Sequence, residues 1–300
     1  MSAQAPTQIG DWTGEDVSLA EIERQFAELR EQTAGGAGAD LRTSVSSHVA
    51  WVPPAWAQQA VGALAGLEER HPSRTILLFP QDGSGRDAID AEVSLRCFTI
   101  PGLEHHVCSE VLALRLHGRR ALAPASIVAP LLIPDLPAFL RWRGLPPFGD
   151  EPLEQMLDVV DRLIVDSTEW EGLPAPYEGL APSFDRVAVS DIAWARTSRW
   201  RRQLSTLWPG IASVERIHVT ATPAQAHLLA GWLRSRLRRP EIELEITPAE
   251  RLEGVDVDGD PAPFPPGDPP APSDLLSDEL DVFGRDPVYE GAVRAAAAAG

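Results

Sequence analysis

Apolar positions recur along this chain with two periods, and each change of period marks a new element. Leu19, Ile22, Phe26 and Leu29 follow one another at helical spacing, and Ser18 with Glu21 forms a capping box ahead of them. That pattern predicts one amphipathic helix. The Gly-rich TAGGAGAD at 33–40 then reads as a flexible linker. A helix with one apolar stripe on a tether must cover a surface, either of its own domain or of another protein. From Arg42, RTSVSSHVAWV reads as a strand, and residues 55–69 as a helix with Trp56, Ala60, Leu64 and Leu67 on one stripe, ending at His71-Pro72. RTILLF, AEVSLRCFTI and HVCSEVLALRLHG are strands, the last two an antiparallel pair.

The apolar run ALAPASIVAPLLIPDLPAFLRWRG at 121–144 interrupts itself with Pro124, Pro130, Pro134 and Pro137. Each proline lacks an N–H and restricts the residue before it, so a membrane-spanning helix is excluded in favour of a short buried helix, a Pro-Asp-Leu-Pro corner and a strand at 138–143. A helix near 151–160 leads into the apolar strand DRLIVDS, and EWEGLPAPYEGLAP at 169–182 has the composition of a linker between domains. Residues 183–207 read as helix with a break near Thr197-Ser198, and VERIHVT as a strand. Thr222 caps a helix begun by Pro223, and EIELEITP is an alternating strand. Strands alternating with helices predict an α/β protein: two α/β units with mixed, partly parallel sheets, an amphipathic helix before them and a disordered acidic tail after them. The boundaries fall at 1–40, 41–168, 169–252 and 253–300.

Charge sharpens this picture. The net charge is −18, and from Leu252 onward 11 acidic residues face 2 basic ones, which is half of that total. Such a surface repels nucleic acid and anionic membranes, so neither is expected as a partner. The tail also holds PAPFPPGDPPAP, which cannot bury enough apolar surface to order itself. Every basic residue is arginine, because the chain has no lysine, and it has no asparagine either. That removes Schiff-base and Walker lysines from consideration. Cys97 and Cys108, without a Cys-x-x-Cys or a signal peptide, point to a reducing, cytoplasmic setting.

Tests for catalytic chemistry fail one by one. The glycines at 35–38 precede a strand rather than joining a strand to a helix, so they make no phosphate cradle. Ser84 lacks the frame of a nucleophile elbow. Asp256, Asp258 and Asp260 imitate a calcium loop, but Pro261 stands at the sharp-turn glycine's place and Gly267 at that of the bidentate glutamate. His105, His106 and Cys108 lack a complementary second ligand pair. Asp158, Asp161 and Asp166 show no defined pairing. No catalytic residue, metal or cofactor is assigned. What does stand out is nine tryptophans, several beside arginine: Arg141-Trp142-Arg143, Trp194-Ala195-Arg196 and Arg199-Trp200-Arg201-Arg202. Both types concentrate at interaction hot spots, so a partner surface and a core role stand level for these residues, ahead of a phosphate site. Arg74, Arg199 and Arg202 are candidates for a phosphate clamp.

HPSR at 71–74, Cys108-Ser109-Glu110, Ser126-Ile127-Val128 through PLLIPDLPAFLRWRG, DRLIVDS, and DIAWARTSRWRRQLSTLW at 191–208 together resemble the glucose-6-phosphate dehydrogenase assembly protein (OpcA) family. The resemblance spans roughly 41–250 and departs at Arg141 and Arg199, where the family pattern has tryptophan and proline. It implies a non-enzymatic protein that binds glucose-6-phosphate dehydrogenase and promotes its active oligomer. The partner-binding residues expected on this basis are Pro134, Asp135, Leu136, Pro137, Trp142, Arg143, Trp194, Arg196, Trp200 and Arg201. The rival expectation is an enzyme or sensor that grips a sugar phosphate with its arginine clamp.

Overall fold

The computed structural model describes residues 7–34, 44–60, 71–81, 85–99, 106–268 and 272–299. The linker at 35–40, most of the 55–69 helix, Ser84 and His105 lie outside them. Two compact units result, one comprising Met1–Arg143 with Gly149–Leu163, the other Gly144–Phe148 with Ile164–Gly300.

In the first unit, strands β1 (Thr7–Gly14), β2 (Ser46–Trp51), β3 (Ser73–Gln81), β4 (Ile89–Thr99), β5 (His106–His117) and β6 (Ala138–Trp142) lie in the order β1-β4-β5-β3-β2-β6. β4 runs antiparallel to β1 and β5, whereas β5, β3, β2 and β6 are mutually parallel. The four parallel strands thus wind outward in both directions from β2, the order of a doubly wound sheet. Parallel strands are covered on both faces, which explains why all six residues of β2 and all five of β6 are buried. Cys97 and Cys108, expected as two separate strand cysteines in a reducing setting, face each other across β4 and β5 and are joined in a disulfide.

The N-terminal helix Leu19–Ala34 forms as its capping pattern predicts, with the Glu21 N–H donating to Ser18 Oγ at 3.2 Å. It covers its own unit. Ile22, Phe26 and Leu29 are buried, and Arg30 reaches Glu110 of β5 at 2.7 Å. β1, which has no period of its own in the sequence, is added beside β4.

β7 (Arg162–Val165) carries the chain to the second unit, where β8 (Ala188–Asp191) occupies part of the segment expected as helix. The break at Thr197 is real: helices Ile192–Arg196 and Ser198–Ser205 meet there, and Thr197 Oγ1 donates to the Trp194 carbonyl at 2.8 Å. A separate four-stranded sheet follows, β10 (Glu243–Pro248), β9 (Arg216–Ala221), β11 (Gly254–Val257) and β12 (Asp260–Pro261) in that order. Thr222 caps helix Pro223–Leu237, accepting from the Gln225 N–H at 3.3 Å.

The expectation of a disordered acidic tail is corrected at two places. Val255 of β11 is buried against the core, and helix Pro287–Ala297 buries Tyr289, Ala292, Val293 and Ala296. The reason lies in alternation: Val255 and Val257 are spaced by two among aspartates, which composition averages away. Helices Pro223–Leu237 and Pro287–Ala297 pack at close range, since a Cβ on Gly231 would stand 2.2 Å from the Ala292 carbonyl oxygen. Gly231→Ala is expected to destabilise the fold by roughly 1–3 kcal/mol by overpacking, read as a lowered thermal midpoint. An unchanged midpoint would mean that these helices do not meet there.

Candidate functional site

In an open α/β sheet, ligands bind beyond the carboxyl ends of the strands where the winding reverses. Here that point lies between β2 and β6. The register sets Trp51 opposite Trp142, the last residue of each strand, and their rings stack at 4.8 Å with 14° between planes. Beyond them Val52-Pro53-Pro54 follows β2 where a phosphate cradle would need glycine, and the Arg143 guanidinium lies 4.6 Å from the Trp56 ring. Trp51 and Trp142 are both buried at this point.

The Pro-Asp-Leu-Pro corner is at the other end of β6. The Ser47 N–H donates to the Pro137 carbonyl at 2.9 Å, and the Ile133 N–H to Ser47 Oγ at 3.0 Å. Asp135 takes a left-handed conformation at φ 64°, which aspartate tolerates. Pro134 and Asp135 are exposed, while Leu136 and Pro137 are half-buried. The corner and Trp142 therefore do not share one patch.

Trp142, Trp194 and Trp200 are buried, so each acts on a partner only through what it holds in place. Trp194 donates through Nε1 to Asp286 Oδ2 at 2.9 Å, and Arg201 stacks on its face. Burial pushes the Arg201 guanidinium down to about 10 against the opposing pull of Asp286 and Glu279. Arg196 is half-buried and donates to Asp166 Oδ1 at 3.0 Å. Phe264 packs edge-on against Trp200 and is itself 67% exposed, as Trp208 is at 65%.

The phosphate-clamp expectation is corrected. Arg74 is buried and donates to Glu110 at 2.7 Å, to the Leu131 carbonyl at 2.7 Å and to Glu23 at 3.1 Å, so its donors serve the fold. Arg199 donates to the carbonyls of Pro265, Pro266 and Gly267, which lie in the Pro-rich segment. Arg202 is exposed at the end of its helix. Among the described residues no cluster of His, Cys, Asp and Glu is placed to hold a metal ion, and no helix is long and apolar enough to cross a membrane.

One polar network escaped the sequence reading. Asp191 is fully buried at the start of helix Ile192–Arg196, where Oδ1 accepts from the Ala193 N–H at 2.8 Å and the Ser167 N–H at 3.0 Å. Ser167 Oγ donates to Asp191 Oδ2 at 2.6 Å, and the Tyr177 hydroxyl donates to Ser167 Oγ at 3.1 Å. Burial, then the nearby Asp166 charge, raises the Asp191 carboxyl to about 7. The same burial, with Asp191 close by, holds the Tyr177 and Tyr289 hydroxyls well above the usual phenol range. Only Asp191's helix-cap position before Ile192 was a usable sequence signal.

This is a doubly wound α/β unit, followed along the chain by a second α/β unit with a four-stranded sheet of its own. The chain belongs to the OpcA family: residues 65–181 match the glucose-6-phosphate dehydrogenase subunit N-terminal domain, and residues 187–293 match its C-terminal domain. It is similar to proteins named OpcA, of the OxPP cycle, in cyanobacteria. Identity is 25% with that of Synechococcus elongatus, over 78% of this chain and 52% of the relative. It is 26% with that of Nostoc punctiforme, over 56% of this chain and 38% of the relative. With that of Synechocystis it is 23%, over 59% and 40%. The chain thus spans about half or less of the length of these relatives.

Two outcomes follow from the geometry. Trp142→Ala is expected to cost about 3–5 kcal/mol of stability, as for other buried aromatic truncations, measured by chemical denaturation. A fully folded variant of unchanged stability would place Trp142 outside the core. For Asp191, a folded-state value raised to about 7 means that proton binding favours the fold. That contribution is complete below the ordinary carboxyl range and is lost as pH rises through 7, by at most on the order of 4 kcal/mol. Asp191→Asn should flatten this slope between about pH 4 and 7; equal slopes in both proteins would refute the assignment.

Proposed function

We propose that this chain is a non-catalytic assembly factor and allosteric activator of glucose-6-phosphate dehydrogenase. It acts in the oxidative pentose phosphate pathway, in a cytoplasmic setting, by binding the active oligomer and stabilising it. The observation that carries this reading is the succession of two domain matches, both to a glucose-6-phosphate dehydrogenase subunit, along one chain. The physical picture agrees with it. Trp51 and Trp142 stack at the strand ends where the winding of the sheet reverses, and two of the three arginines of the rival clamp are bound within the fold. An activator needs only a surface that fits the active state better than the inactive one. The residues proposed for contact are, in the first unit, the corner Pro134, Asp135, Leu136 and Pro137 and, separately, Arg143 next to buried Trp142, and, in the second unit, Arg196 and Arg201 with buried Trp194 and Trp200. Preferential binding to the assembled enzyme stabilises that assembly by mass action.

The test is the rate of purified dehydrogenase against glucose 6-phosphate concentration, with and without this chain, alongside size-exclusion chromatography. A lower half-saturating concentration or a higher maximal rate, seen only where the two proteins co-elute, is expected. No complex and no change in rate would refute the reading. Tight calorimetric binding of glucose 6-phosphate to this chain alone would favour the sugar-phosphate alternative.

A further inference from the structure

The small sheet of the second unit has two unlike faces. Ile217, Val219, Ala221 and Val255 are buried together with Leu229 and Leu233 of helix Pro223–Leu237. The alternation of β9 sends Arg216, His218 and Thr220 to the other face, which β10 extends with Glu243, Glu245 and Thr247. β11 adds Gly254 and Asp256, because its register sets Asp256 opposite His218 and Gly254 opposite Thr220. Across the three adjacent strands Asp256 and Glu245 thus stand directly opposite His218, and Thr247, opposite Thr220, stands diagonal to it on the same face.

The contacts of His218 are close. His218 Nδ1 lies 3.0 Å from Asp256 Oδ2, and His218 Nε2 lies 2.8 Å from Thr247 Oγ1. With the carboxylate accepting from Nδ1–H, the Nε2 lone pair is left to accept the Thr247 hydroxyl proton. A hydroxyl bonded to an imidazole that is oriented by a carboxylate is the arrangement that activates a nucleophile, and it is defined by geometry and role rather than by chain order. Thr247 is exposed, so its oxygen is open to a reagent. A Cβ at Gly254 would meet no atom within 4 Å, which leaves free space on the same face. The other charged groups on this face are Arg216, which pairs with Glu243 at 3.0 Å and lies 3.7 Å from Glu245.

We propose that Thr247 is an acylation site, in which His218 serves as general base and Asp256 as its positioning residue, for acyl groups activated as esters with a good leaving group or as thioesters. In the step, Thr247 Oγ bonds to the acyl carbonyl carbon and the carbon–oxygen or carbon–sulfur bond to the leaving group breaks. The hydroxyl proton passes to His218 Nε2 and then to the departing alkoxide or thiolate, so the products are a threonine ester and an alcohol or thiol. Nothing is oxidised or reduced. On so open a face the product is a modified chain rather than rapid turnover, because water is not excluded from the site.

The test treats the full chain with p-nitrophenyl acetate, and in a parallel arm with acetyl-CoA, and follows acetylation by intact-protein and peptide mass spectrometry. One acetyl group on Thr247 is expected in at least one arm, with the arm that labels identifying the ester or the thioester as donor. Thr247→Ser should keep the label and Thr247→Val should lose it. His218→Gln should slow it by about tenfold or more, as loss of a general base does. Asp256→Asn should slow it as well, because the imidazole loses the carboxylate that orients it, and Asp256→Glu should restore part of the rate. Circular dichroism and thermal midpoints check that the surface variants remain folded. Absence of the label from residue 247 in both arms would overturn the proposal, and so would equal rates in the wild type and folded His218→Gln.

Discussion

The parallel pairing of β2 with β6 is the constraint on which the first unit depends. Register in a sheet fixes which side chains share a face, and here it brings two indoles together at the ends of the two central strands. Slipping the pair by one residue would send Trp51 and Trp142 to opposite faces. The aromatic stack supplies large apolar burial at the point where the winding of the sheet reverses. Pro53 and Pro54 follow where a phosphate-binding turn needs a bare backbone.

Buried charge is handled differently in the two units. Around Glu110 two guanidiniums share one carboxylate, Arg74 at 2.7 Å and Arg30 also at 2.7 Å, and Arg74 also reaches Glu23 on the N-terminal helix. Removing one partner from such a group strands another charge, so its value lies mainly in specificity of docking. It tells the helix which part of the sheet to cover. In the second unit Asp191 is held by N–H and hydroxyl donors, which favour its charged form, but burial, then the Asp166 charge, outweighs them and raises the carboxyl to about 7. His48, buried on β2, illustrates the same rule with opposite sign: burial, then Arg141 and His71, lowers it to about 4.

Local signals were legible in the sequence and long-range ones were not. The capping residues Ser18 and Thr222, the proline-bounded corner and the strands β3 to β7 announce themselves within a few residues, because caps, turns and continuous apolar runs are short-range physics. β1, β8 and β11 were missed for a common reason. Each is short or polar alone and is stabilised by pairing with a strand distant in sequence, as β11 is with β9. The tryptophan and arginine density at 194–202 was legible as unusual but ambiguous in meaning, and burial assigns its two tryptophans to packing. Arg74 was misread because arginine beside a strand looks alike in sequence whether it awaits a phosphate or already holds Glu110.

The uncovered face of the small sheet is where this last distinction has most force. β9 and β10 run parallel, and parallel strands are ordinarily covered on both sides by helices. Among the described residues only one side is covered, and the other carries hydroxyls, acids, one arginine and one histidine in place of apolar side chains. A face that needs no cover for solubility is free to carry chemistry, and strand alternation then decides which residues meet. His218 was unremarkable in the sequence because its partners stand 29 residues and 38 residues away on neighbouring strands. Folding, rather than any motif, places an imidazole between a carboxylate and a hydroxyl, and it does so on the face that the hydrophobic core leaves open.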